Sequence, residues 1–106
     1  MTEIKTINAQ TLRNWLEVGH PLSILDIRPI HQRMEVPMPY SFPIDAYDKL
    51  KMNDPETFKY LHLDKNVPII TCCTGGNLSK TAAQILTQQG YEVYSLEGGL
   101  NAWNNK

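Results

Sequence analysis

The sequence predicts an α/β domain: a mostly parallel central sheet of about five strands, with helices on both faces. Three observations carry this expectation. The runs Leu22–Ile27 and Val67–Cys72 are almost continuously apolar, as strands covered on both faces are. Helical patterns stand between the strand candidates, so the two element types alternate. A length of 106 residues with 42% hydrophobic content suits a single domain, residues 1–106, around one core.

The elements follow in order. Glu3–Ile7 reads as a short strand. Asn8 is placed to cap a helix from Ala9 to about Val18, whose Leu12, Trp15 and Leu16 share one face. Gly19 ends that helix and Pro21 follows, ahead of the strand Leu22–Ile27. Four prolines (Pro29, Pro37, Pro39, Pro43) exclude long regular structure from residues 29–45. Ala46–Met52 reads as a short helix. Asn53 or Asp54 is placed to cap another from Pro55 to Leu61, with proline at its first position. After the strand Val67–Cys72 comes the strongest helix, Asn77–Gln89. Its Leu78, Thr81, Ala82, Ile85 and Leu86 form a buried stripe, and Gly90 stops it. Tyr91–Leu96 is the next strand, and Gly98-Gly99 turns the chain into a last short helix at Leu100–Trp103. In such a sheet, reactive groups gather beyond the carboxyl ends of the strands, where Asp26, Arg28, Cys73 and Glu97 fall.

Bulk properties narrow the classes of function. A net charge of −1 supplies no electrostatic reason to expect nucleic acid or an anionic membrane as partner. No apolar run is long enough to span a bilayer, and Met1-Thr2-Glu3-Ile4-Lys5 lacks the basic start and apolar middle of a signal peptide. The two cysteines are neighbours, which leaves no disulfide framework. His20, His31 and His62 are scattered without metal-ligand spacing. The expectation is a cytoplasmic monomer with neither metal nor cofactor.

The chemistry concentrates in residues 69–86, where an apolar run ends in cysteine, two glycines and an asparagine follow, and a helical pattern begins. That order describes a strand, a tight loop and a helix N-terminus with a thiol at its mouth. First-turn N–H groups have no intrahelical partner, and the helix dipole adds partial positive charge there. A thiol held against such a loop ionises more easily than a free one, and the thiolate is the nucleophile. Strand alternation puts Cys72 and Cys73 on opposite faces. The expected nucleophile is Cys73, with Cys72 directed into the core. The substrate-binding loop is then Thr74, Gly75, Gly76, Asn77, Leu78 and Ser79, with the backbone N–H groups of residues 74–78 as an anion cradle.

Three segments together resemble a single-domain rhodanese, the sulfurtransferase family, over nearly the whole chain. Leu25-Asp26-Ile27-Arg28 is similar to the family's Asp-Val-Arg strand end. Ser95-Leu96-Glu97-Gly98-Gly99-Leu100-Asn101-Ala102-Trp103 is similar to its Glu-Gly-Gly-x-x-x-Trp signature, and the cysteine loop lies between. The resemblance implies a rhodanese-like fold and sulfur carried as a persulfide on Cys73. The sulfur would come from thiosulfate or a persulfide donor and pass to a thiophilic acceptor such as cyanide, a thiol or a protein. Two departures stand out. The family loop usually runs Cys-x-x-x-x-Arg-Ser, and here Leu78 occupies the arginine position. Many members have His-Ile-Pro-Gly-Ala after the aspartate strand, where this chain has Glu35-Val36-Pro37-Met38-Pro39-Tyr40.

Several roles stay open in the sequence. Arg28 either orients an anionic donor or pairs with Asp26. Glu97 either hydrogen-bonds loop N–H groups or caps the final helix. Ser79 steadies the first helical turn, with donation to a persulfide as a further role. Two other functions compete with sulfur transfer. One is a catalytically weak interaction or sulfur-relay module, favoured by the missing arginine. The other is phosphatase or arsenate reductase chemistry, in which the loop would be counted from Cys72. Phosphoryl transfer leans on positive charge, and Leu78 supplies none.

Overall fold

The computed structural model describes residues 4–104. Its sheet has five strands, all parallel, in the order β1-β5-β4-β2-β3: β1 Lys5–Ile7, β2 Ser23–Asp26, β3 Ser41–Pro43, β4 Ile69–Cys72 and β5 Val93–Leu96. Five helices connect and cover it: α1 Ala9–Glu17, α2 Ile30–Glu35, α3 Tyr47–Lys51, α4 Asn77–Gln88 and α5 Gly99–Asn104. Glu3, where the sequence starts the first strand, lies outside the described residues.

Side-chain alternation along the strands divides the core in two. Leu25, Ile27, Ile69, Cys73 and Val93 face α3 and α4, where they meet Ala46, Leu50, Ala82, Ile85 and Leu86. Ile7, Ile24, Ile70, Cys72 and Leu96 face the other way, onto Leu12 of α1 and Leu100 and Trp103 of α5. Each fully buried aliphatic side chain of this kind contributes roughly 1.5–3 kcal/mol. The guanidinium of Arg13 lies 3.9 Å from the centre of the Trp103 ring, joining α1 to α5.

The Asn8 side chain accepts the Thr11 N–H at 2.8 Å, which makes it the cap of α1. The proline-rich stretch holds no long element, as expected, but it contains two short ones that the sequence did not reveal. Its prolines punctuate rather than abolish structure, because α2 fits between Pro29 and Pro37, and β3 supplies the fifth strand. β3 lies at the sheet edge beside β2, where Pro43 has no further ladder bond to donate. The helix expected over Pro55–Leu61 does not form. Turns spanning three residues replace it, with Thr57, Lys59 and Leu61 donating to the carbonyls of Asp54, Glu56 and Phe58. The Thr57 hydroxyl also takes the Asp54 carbonyl, and only Phe58 of this segment is buried, so no apolar face holds a helix down.

Candidate active site

Cys73 follows the last residue of β4, at the carboxyl end of the sheet and at the point where the chain turns toward α4. Cys72 and Cys73 do face opposite sides. Cys72 is fully buried against the α1 and α5 side, where desolvation pushes its thiol well up and disfavours the thiolate. Cys73 belongs to the α3 and α4 side and is 5% exposed.

The Cys73 sulfur accepts the backbone N–H of Gly76 at 3.1 Å and that of Ser79 at 3.4 Å. This cradle differs from the expected one over residues 74–78. The N–H groups of Thr74, Gly75, Asn77 and Leu78 make no hydrogen bond to the sulfur, and Ser79 lies outside that range. The reason is local. α4 already begins at Asn77, and its capping residue, Gly76, has no side chain to offer. The sulfur therefore takes the place of a capping side chain and receives the N–H of the third helical residue. Gly76 sits at φ +98°, a conformation that favours glycine, and so closes the loop in four residues. The Ser79 hydroxyl donates to the Gly76 carbonyl at 3.0 Å, which steadies this first turn.

The carbonyls on the other side of the loop are held by α5. Leu100 N–H donates to the Cys73 carbonyl at 2.8 Å and Asn101 N–H to the Thr74 carbonyl at 3.1 Å. Gly99 makes the approach possible, with φ +58° and its missing Cβ directed at these same carbonyls. Glu97 takes neither role open to it. Its exposed side chain makes no hydrogen bond among the described residues, and its N–H extends the β1–β5 pairing to the Ile7 carbonyl. The turn at Gly98-Gly99 brings backbone N–H groups, rather than that carboxylate, to the loop.

The Arg28 side chain is committed to Asp26. Nε donates to Oδ1 at 2.9 Å and one terminal nitrogen to Oδ2 at 2.7 Å, with both side chains buried. The Arg28 N–H also reaches Oδ1, at 3.1 Å. These bonds to Asp26 raise the guanidinium above its ordinary value, and they compensate its charge. A cavity of about 230 Å³ opens over Cys73 and its loop, walled by Arg28, Pro29, Gln32, Tyr47 and Leu78. Leu78 is half-buried and also packs on the core, while Lys80 is exposed and absent from the cavity wall. At the mouth, the Thr74 hydroxyl donates to Gln32 Oε1 at 2.6 Å, linking the loop to α2.

A family model described as the rhodanese-like domain matches residues 8–106. The chain belongs to the rhodanese-like domain family. This rhodanese-like domain also superposes on solved structures. One is a rhodanese-like domain protein from Staphylococcus aureus, with TM-score 0.75, 26% identity, and coverage of 94% of this chain and 91% of that one. Another is a rhodanese homologue from Thermus thermophilus, with TM-score 0.68, 29% identity, and coverage of 93% and 100%. A third is a Rhodopseudomonas palustris protein of unknown function described as a possible tyrosine phosphatase. It has TM-score 0.75 and 24% identity, covers 96% of this chain and 80% of its own, and shows the fold alone.

Sequence reasoning missed five residues of this rhodanese-like site. Gln32 lay in the proline-rich stretch, and Tyr47 in a helix read only for its existence. The close approach of Gly99 to the loop is a three-dimensional fact. Thr71 and Ser95, single polar residues in otherwise apolar strands, were the legible signal: both are fully buried beneath the loop.

Proposed function

We propose that this protein is a sulfurtransferase that carries sulfane sulfur as a persulfide on Cys73. The observation that carries the reading is a buried thiol at the floor of an open cavity, facing two backbone N–H donors. The Cys73 thiolate attacks the terminal sulfur of the donor. A sulfur–sulfur bond forms on Cys73, the donor's own sulfur–sulfur bond breaks, and its electron pair leaves with sulfite or a thiolate. A thiophilic acceptor (cyanide, a thiol or a protein cysteine) then attacks the terminal sulfur, and Cys73 departs as thiolate. The Gly76 and Ser79 N–H groups bear on the sulfur through each change of charge without a side-chain cation.

Among the described residues, Leu78 and the compensated Arg28 leave the cavity with no free cation. That favours organic persulfides over dianionic thiosulfate as donors. It also argues against a phosphatase or arsenate reductase. The same observation supports the second reading, a catalytically weak interaction or sulfur-relay module. Intact mass after incubation with thiosulfate, polysulfide or an organic persulfide tests sulfur loading itself. A gain of one sulfur atom that dithiothreitol removes is expected of a sulfur carrier, whether enzyme or relay, and an unchanged mass with every donor is expected of a pure interaction module.

A further inference from the structure

We propose that Thr71 and Ser95 are positioning residues for Cys73, holding in place the two residues whose N–H groups meet its sulfur. Thr71 of β4 and Ser95 of β5 are direct neighbours in the strand register and share a sheet face. Cys73 is two residues beyond Thr71 and so lies on that face as well. Thr71, Ser79 and Ser95 are all fully buried.

Their hydrogen bonds form one connected set. Thr71 Oγ1 donates to the Ser79 carbonyl at 2.8 Å. The Ser79 hydroxyl donates its only hydrogen to the Gly76 carbonyl, and Ser95 Oγ lies 2.7 Å from that same hydroxyl. Ser95 is therefore the donor of that pair. The set ends on Gly76 and Ser79, the two residues whose N–H groups meet Sγ. Ile69 and Val93, one step earlier on the same strands and face, show that aliphatic side chains pack there. Buried hydroxyls give up hydration and return little stability beyond the bonds they make. What they add here is direction, because a donor fixed before charge develops needs no reorganisation when it does. The inference rests on Cys73 being the reacting group, as in the proposed sulfur transfer.

The test is the rate of Cys73 alkylation by iodoacetamide across pH, with the modified cysteine identified by peptide mass. Losing one ordinary hydrogen bond corresponds to about a threefold to tenfold change. Ser95→Ala should slow alkylation at neutral pH by that factor and move the half-maximal rate to higher pH. Thr71→Val should do the same, and Thr71→Ser, which keeps the hydroxyl, should restore the wild-type profile. Ile85→Val, a core change in α4 away from the loop, should lower thermal stability without moving the profile. Should Ser95→Ala fail to fold, the Thr71 pair decides alone. Folded Ser95→Ala or Thr71→Val protein with a wild-type profile overturns the proposal. Alkylation needs no sulfur donor, so a wild-type protein that never loads sulfur counts against sulfur transfer and leaves this result standing.

Discussion

Gly99 packs its Cα face against the peptide that carries Cys73. A Cβ at residue 99 would overlap the Cys73 carbonyl oxygen and lie 2.6 Å from that of Thr74. The two segments most characteristic of the sequence are thus halves of one device. The cysteine loop presents N–H groups to the sulfur on one side and carbonyls to the start of α5 on the other.

Gly99→Ala is expected to be severe, because it combines a φ of +58° with overlap onto backbone that has no room to move. The expected loss is about 2–4 kcal/mol in urea unfolding, with Cys73 reactivity reduced in whatever protein folds.

Arg28 serves Asp26 before it serves any ligand. Arg28→Met strands a buried carboxylate and should cost about 3–5 kcal/mol. Removing both charges with Asp26→Asn and Arg28→Met together should cost less than the single change. Thermal melts of both variants beside wild type check this.

The Cys72 thiol makes stability fall in alkali. Burial raises it above its unfolded value, so the folded protein keeps the proton that the unfolded chain releases. Its contribution is intact below the unfolded thiol's ordinary value, about 8.5, and declines as pH rises beyond that. Cys72→Ala should lose stability at neutral pH to the cavity it leaves, yet show a shallower decline of Tm with pH above that value than wild type does. Thermal melts of both proteins across that range provide the comparison.

In the proposed sulfur transfer, Leu78 would leave the charge of an anionic donor unmet. Charge-assisted hydrogen bonds are worth about 1.5–3 kcal/mol, or roughly tenfold to a hundredfold in rate or binding. Leu78→Arg should raise thiosulfate turnover toward that range and do less for a monoanionic persulfide. Kinetics with both donors in both proteins, alongside circular dichroism to confirm folding, provide the measurement.

The fold was legible where local pattern and tertiary demand agree. α1 and α4 carry apolar stripes ended by glycine, α1 with a side-chain cap at Asn8, and the central strands β2 and β4 are apolar on both faces. β3 and α2 escaped because neither has a pattern of its own: three residues against an edge and six that bury nothing are held by their neighbours. The Pro55–Leu61 helix failed for the converse reason, a well-formed start with no apolar face to follow it. At the site, strand alternation was enough to separate Cys72 from Cys73. The direction of single N–H groups, the commitment of Arg28 and the idleness of Glu97 depend on geometry between segments distant in sequence.

The central claim is that Cys73 carries the sulfur, and locating the added sulfur tests it most directly. Wild type, Cys73→Ser and Cys72→Ser should be incubated with an organic persulfide and weighed intact before and after dithiothreitol. The account predicts a reducible gain of one sulfur atom in wild type and Cys72→Ser, and none in Cys73→Ser. A gain that survives in Cys73→Ser and disappears in Cys72→Ser, or no gain in wild type with any donor, would contradict it.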